Sequence, residues 1–141
     1  MIRSIMVIRW ISLIAICLTL SSCVAPRFNG STRQFSGVWL YEFEGSTFVE
    51  GATEVPAHRP AYEKTDWLDW PVDQPRLEEL LEDSREGVDC HVVQPILVTF
   101  VGQRTNYPFG GAGHMGLWRS EVTVHRTISA ERLGPSFCYD R

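Results

Sequence analysis

The sequence predicts a mainly β fold, a small and partly open antiparallel barrel with one short helix. Three observations lead there. Aromatic residues alternate with other side chains over residues 37–44 and resume at 47–49; two further segments of strand length lie at 96–101 and 117–128; and only residues 75–86 carry a helical pattern.

Trp39, Tyr41 and Phe43 share one side of the first segment, while Glu42 and Glu44 end the other, the period-two signature of a half-buried strand. Gly45-Ser46 interrupts it, and Thr47-Phe48-Val49 continues as the second arm of a hairpin or as a bulged extension before Gly51. Residues 54–72 hold Pro56, Pro60 and Pro71, which leave room for a weak edge strand at 61–67 and little else. Residues 75–86 (PRLEELLEDSRE) begin with a proline suited to a first turn, carry Leu77, Leu80 and Leu81 as a short apolar stripe, and meet Gly87 as a stop. Residues 96–101 (ILVTFV) follow Pro95 and are expected to be buried on both faces. In residues 117–128 the sequence puts Trp118, Val122, Val124 and Ile128 on one face, with Arg119, Glu121, Thr123, His125 and Thr127 on a wet one. The resulting order, strand-strand-strand-helix-strand-strand, resembles that of oligonucleotide/oligosaccharide-binding (OB) barrels. A two-layer sheet with one packed helix is the competing arrangement.

The N-terminus is of another kind. Arg3 and Arg9 precede an uncharged run of eleven residues, Trp10 to Leu20, then Ser21-Ser22-Cys23. A membrane-spanning helix needs about 20 apolar residues, so this run reads as the core of a signal peptide, residues 1–22. Leu20-Ser21-Ser22-Cys23 resembles the lipobox of bacterial lipoproteins. The resemblance implies that Cys23 is joined to diacylglycerol and becomes the mature N-terminus, with the outer membrane favoured by Val24. The Pro-, Gly- and Ser/Thr-rich residues 23–36 then read as a flexible tether placing the domain on the order of 20 Å from its lipid, and residues 37–141 as a single β-rich domain. The mature part resembles small envelope lipoproteins facing the periplasm, a likeness that implies no activity.

Cys17 leaves with the signal and Cys23 is committed to lipid, so Cys90 and Cys138 remain as a pair. An oxidising compartment lets their disulfide persist, and closing a loop of that length stabilises a fold by about 4 kcal/mol. The spacing of Cys90, His91 and His114 matches no zinc-ligand pattern, so no metal and no cofactor is expected. His58, His91, His114 and His125 are scattered and read as surface or loop residues.

The chain carries 13 Lys+Arg against 17 Asp+Glu, a formal charge of −4, and no basic block, which argues against nucleic acid as a partner. Residues 42–89 hold fourteen of the acidic residues and four basic ones. Two constellations stand out as candidate ligand-binding residues. Asp66-Trp67 and Asp69-Trp70 set indoles beside carboxylates, a chemistry that holds sugars or peptide aromatics; in the alternative, the indoles plug the core. Residues 107–116, with Gly110, Gly111, Gly113 and Gly116 around His114, read as a conformationally demanding connection or as an anion-binding nest.

Residues 35–39 and 45–48 also resemble the first hairpin of avidin-type biotin binders, and Gly37-Val38-Trp39 the start of lipocalins. Both families close eight-stranded barrels, for which too few strands follow Gly51. No Gly-x-Ser-x-Gly elbow and no His-Glu-x-x-His helix occurs, and no catalytic set is assigned. The expectation is therefore a lipid-anchored envelope protein that binds a protein or polysaccharide. A small-ligand barrel, with Trp39, Tyr41 and the glycine loop near the ligand, comes second. A hydrolase or metal-dependent enzyme around His114 comes last.

Overall fold

The computed structural model describes residues 27–71, 80–81 and 90–139. Six strands are formed: β1 Phe28–Asn29, β2 Arg33–Glu42, β3 Gly45–Glu50, β4 Asp66–Asp69, β5 Val93–Asn106 and β6 Ser120–Arg132. The sheet order is β1-β5-β2-β3-β4-β6, and β6 also pairs with β5, so the pairings run around a ring. Two joints of that ring are short, β3–β4 with two residue pairs and β4–β6 with three, against ten for β2–β5. The fold is thus mainly β, a partly open barrel in the OB-like order. The sheet is mixed rather than purely antiparallel, because β4 and β6 run parallel. A parallel pair cannot be joined by a tight turn, and here the whole of β5 intervenes.

The period-two aromatic segment forms β2, which pairs with β3 in the register Trp39↔Phe48 and Glu42↔Gly45, leaving Phe43 and Glu44 as a two-residue turn. Inward-facing Phe35, Trp39, Phe48, Ile96, Phe100 and Val122 belong to the main core, against which Trp70, Leu80 and Leu81 are packed. Phe35 stacks on Phe100 at 5.4 Å and Trp39 on Trp70 at 5.0 Å. The helix expected at 75–86 lies outside the described residues apart from Leu80 and Leu81; the Leu80 carbonyl accepts hydrogen bonds from Arg132 Nε, at 2.7 Å, and from Gln94 Nε2.

The outer face of β2 and β5 is covered at one end. Val38, Leu40 and Val93 are buried there beneath Val55, Leu97, Leu133, Phe137 and Tyr139; burial on both faces of β5 is confined to residues 93–96, whereas in the segment 96–101 expected to be buried on both faces Ile96, Val98 and Phe100 are buried and Leu97, Thr99 and Val101 only half-buried. Cys90 and Cys138 are bridged, with Cα atoms 6.2 Å apart, and the Val93–Phe137 backbone pair exchanges both hydrogen bonds beside them.

Several expected boundaries shift. Pro95 lies inside β5 rather than before it; its carbonyl accepts from Leu133 N–H on the side where β6 has just ended, so the missing proline N–H breaks no bond to β2. The expected edge strand at 61–67 becomes a 3-10 turn, Tyr62–Lys64, followed by β4, which is interior because β3 and β6 flank it. In β6 the register slips twice against β5, skipping His125 and Ile128. Each slip inserts a residue and turns the following side chains over, so Ile128 is 47% exposed instead of joining Val122 and Val124 in the core. Finally, β2 begins at Arg33 and β1 pairs Phe28 with Asn106, so the sheet claims part of the stretch 23–36 read as tether.

Candidate functional site

The β2–β3 turn and the β5–β6 loop meet over the mouth of the barrel and enclose a cleft of about 380 Å³. From the turn come Glu42, Glu44 and Gly45, from the loop His114, Leu117 and Trp118, and Tyr62, Arg59 and Tyr139 close the remaining sides. A second cleft of about 320 Å³ shares Glu42, Glu44 and Gly45 with the first and continues along Trp67, Asp69 and Trp70.

The loop is shaped by left-handed glycines. Gly113, at φ 67°, stands where any β-carbon would meet Trp67 and Trp118, which lie edge to face at 4.9 Å. Trp118 is 1% exposed, pairs through its backbone with Ala112, and has Tyr62 at 4.5 Å from its ring. Its Nε1 is buried without a hydrogen-bond partner among the described residues, as is Trp70 Nε1. A buried donor left in this state costs free energy unless something else accepts from it.

Two non-glycine residues among those described have left-handed backbones, Glu44 at φ 57° and Met115 at φ 55°. They belong to the two loops that meet at this cleft, and His114, next to Met115, brings Nε2 within 3.6 Å of Glu44 Oε2. Such strain costs about 1 kcal/mol per residue and gathers at functional sites. Deeper in, buried Glu42 accepts from Arg59 Nη1 at 2.6 Å, and this bond raises the Arg59 pKa and holds its charge in the wall. Arg59 also lies 5.2 Å from the ring of Tyr139, and burial pushes the Tyr139 hydroxyl above its usual pKa. The cleft thus mixes ring faces with fixed positive and negative groups.

The residues singled out from sequence divide unevenly. Asp66 is buried and accepts from Arg104 Nε at 2.9 Å and Nη2 at 2.6 Å, and Arg104 also reaches Glu50, which in turn holds Arg33. The Arg33 hydrogen bond, aided by Arg104, holds the Glu50 carboxyl below its ordinary range. Trp70 is spent largely on Trp39, and Trp39 donates through Nε1 to Ser46 Oγ at 2.9 Å. Trp67 backs the glycine loop. Asp69 is exposed on the second cleft; burial and, to a smaller degree, the Asp69 charge raise the pKa of Glu121. His114 does reach the main cleft, but the indole-carboxylate motif does not form one site with it. His91, though exposed, also lines the main cleft, beside Cys90, while His58 and His125 are exposed elsewhere.

Sequence reasoning missed Glu42, Glu44, Arg59, Tyr62 and Tyr139. One signal for Glu44 was available: a carboxylate immediately before Gly45, at the point where the strand pattern breaks. Arg59, Tyr62 and Tyr139 come from separate segments and carried none. Among the described residues, no group of three His, Cys, Asp or Glu side chains could hold a metal ion. The chain matches no protein-family model, no curated protein and no solved structure.

Proposed function

We propose that this chain is a lipid-anchored binding module of the bacterial cell envelope, and that the cleft between the β2–β3 turn and the β5–β6 loop holds a segment of envelope polysaccharide. One observation carries the choice of ligand. The cleft sets the rings of Tyr62 and Tyr139 beside both acceptors and donors, namely Glu44, His114 and the Glu42–Arg59 pair. Sugar rings present apolar faces for aromatic side chains and hydroxyls that both give and accept hydrogen bonds. Loops in these two chain positions are where OB barrels bind oligosaccharides and oligonucleotides, an analogy of fold. Two carboxylates in the wall favour a sugar over a phosphate chain.

A second reading has its own observation. Phe43 and Leu117, 58% and 46% exposed, stand at the cleft, and apolar side chains in that position suit a protein partner. An acid-base role for Glu44 and His114 is less supported, since both are exposed and no third group among the described residues orients the imidazole.

The anchor is tested by Cys23→Ser, which is expected to move the protein from the membrane fraction to the soluble one; a variant still in membranes overturns lipidation. The cleft is tested by Glu44→Gly. Glycine relieves the left-handed strain, so thermal stability should stay level or rise by up to about 1 kcal/mol. Affinity for soluble cell-wall glycan oligomers, measured by calorimetry on the detergent-solubilised full protein, should fall about tenfold, the size expected for losing one charge-assisted hydrogen bond. Unchanged affinity would remove the cleft as the glycan site.

A further inference from the structure

We propose that the corner of the domain formed by β1 and the root of the β5–β6 loop lies in the headgroup layer of the membrane bearing the Cys23 anchor, with Phe28 and Phe109 inserted among the lipids. The proposal rests on the lipid-anchor reading and adds to it a face, an orientation and a second contact. Its starting point is covalent: Phe28 is five positions after Cys23, and five steps of extended chain span at most about 18 Å. Phe28 is not free to wander within that radius of the lipid. It is registered to Asn106 and Asn29 to Thr105; Asn106 Nδ2 donates to the Phe28 carbonyl at 3.3 Å, and Gly30 N–H to the Arg104 carbonyl at 2.7 Å. The corner at which the chain enters the sheet is therefore the part of the domain held closest to the bilayer.

The side chains at that corner suit an interface rather than water. Phe109 is 83% exposed, the highest value among the large exposed apolar side chains, and Phe28 is 59% exposed. Both sit on short rigid supports: Phe28 on the β1–β5 pair, and Phe109 in a turn closed by Gly110 N–H to the Tyr107 carbonyl at 2.9 Å. Tyr107, one residue after the partner of Phe28 and two before Phe109, has the Arg27 guanidinium 5.9 Å from its ring centroid, and its N–H donates to the carbonyl of exposed Arg119. Aromatic rings settle at the level of lipid headgroups, and arginines beside them keep their charge among phosphates while the stems lie along apolar surface. A lipid chain and an inserted protein contact together hold a domain in one pose, where a chain alone leaves it free to rotate.

The experiment uses the full protein, purified with its anchor and reconstituted into vesicles of phosphatidylethanolamine and phosphatidylglycerol containing a brominated-acyl phosphatidylcholine, a contact quencher of tryptophan. Two variants are compared after subtraction of the parent emission. Phe109→Trp places the probe at the proposed contact. Ile128→Trp places it on an equally tolerant exposed apolar position whose neighbours pair with Phe100 and Thr99, about 20 Å of strand from Asn106. Quenching of the tryptophan at 109 should exceed that at 128 at least twofold and be accompanied by a blue shift on reconstitution. An intact mass of the same sample reads the acyl groups on Cys23. Acylated protein with equal quenching at both positions overturns the orientation and leaves the anchor standing, whereas an unmodified Cys23 overturns anchor and orientation together.

Discussion

Replacing Cys90 and Cys138 together with serine is expected to cost about 4 kcal/mol and to lower the melting temperature by about 20 °C, read by thermal and urea unfolding. The bond joins residues 48 apart in sequence, so its loss restores a large set of conformations to the unfolded chain. The native side loses as well. The C-terminal segment lies over the second apolar cluster through Leu133, Phe137 and Tyr139, and it is held by the Val93–Phe137 backbone pair and by Tyr139 Oη donating to the Pro56 carbonyl at 3.2 Å. Tyr139 is also a wall of the cleft, next to Arg59. Without the bridge this tail becomes the first part of the domain to open, so ligand affinity should fall before the barrel unfolds, and amide exchange at Phe137 should rise well ahead of exchange in mid-β5. A loss below about 1 kcal/mol would mean that Phe137 and Tyr139 hold the tail by packing alone.

What was legible in the sequence followed from local chemistry. Trp39, Tyr41 and Phe48 announce β2 and β3 because alternating aromatics suit a pleated, half-buried strand and almost no other backbone, and the apolar run 96–101 announces β5. Cys90 and Cys138 announce each other once the other two cysteines are assigned to export. The illegible parts depend on partners distant in the chain. The ion pair of Asp66 with Arg104, 38 residues on, has no local signature beside Trp67. Ile128 keeps the period of β6 on paper, and only the pairing with β5 reveals the two inserted residues that turn it outward. Phe28 looks like part of a linker because its reason for order, Asn106, is 78 residues away. Glu44 looks like turn punctuation, and its standing as a strained, charged wall of a cleft depends on the loop carrying His114 folding back across it.

That loop depends on one residue without a side chain, and Gly113→Ala is expected to cost about 2–4 kcal/mol while dismantling the cleft. Two effects add. A residue with a β-carbon at φ 67° costs about 1 kcal/mol in backbone strain. The β-carbon itself would sit 2.4 Å from Trp67 Cε3, 2.6 Å from Trp67 Cδ2 and 2.7 Å from Trp118 Cε3, closer than carbons approach, and overpacking of this kind costs about 1–3 kcal/mol more. The neighbours have little room to yield. Trp118 is buried against Tyr62, and Trp67 belongs to β4, whose register to β6 pairs it with Glu121. Either the loop lifts, drawing His114 away from Glu44, or Trp67 swings outward and loosens the three-pair β4–β6 joint, already among the shortest in the ring. Both routes expose an indole, so tryptophan emission should shift to the red along with the loss of stability. Gly51→Ala separates the two effects, because Gly51 has φ 78° with no heavy atom within 4 Å of the added carbon. It should cost the backbone strain alone, about 1 kcal/mol, with emission unchanged. Equal costs for the two substitutions would mean that the indoles yield freely and that Gly113 serves only the turn. A cost at Gly113 at least twice that at Gly51, together with lost glycan affinity, would tie the glycine to the indole pair and the indole pair to the cleft.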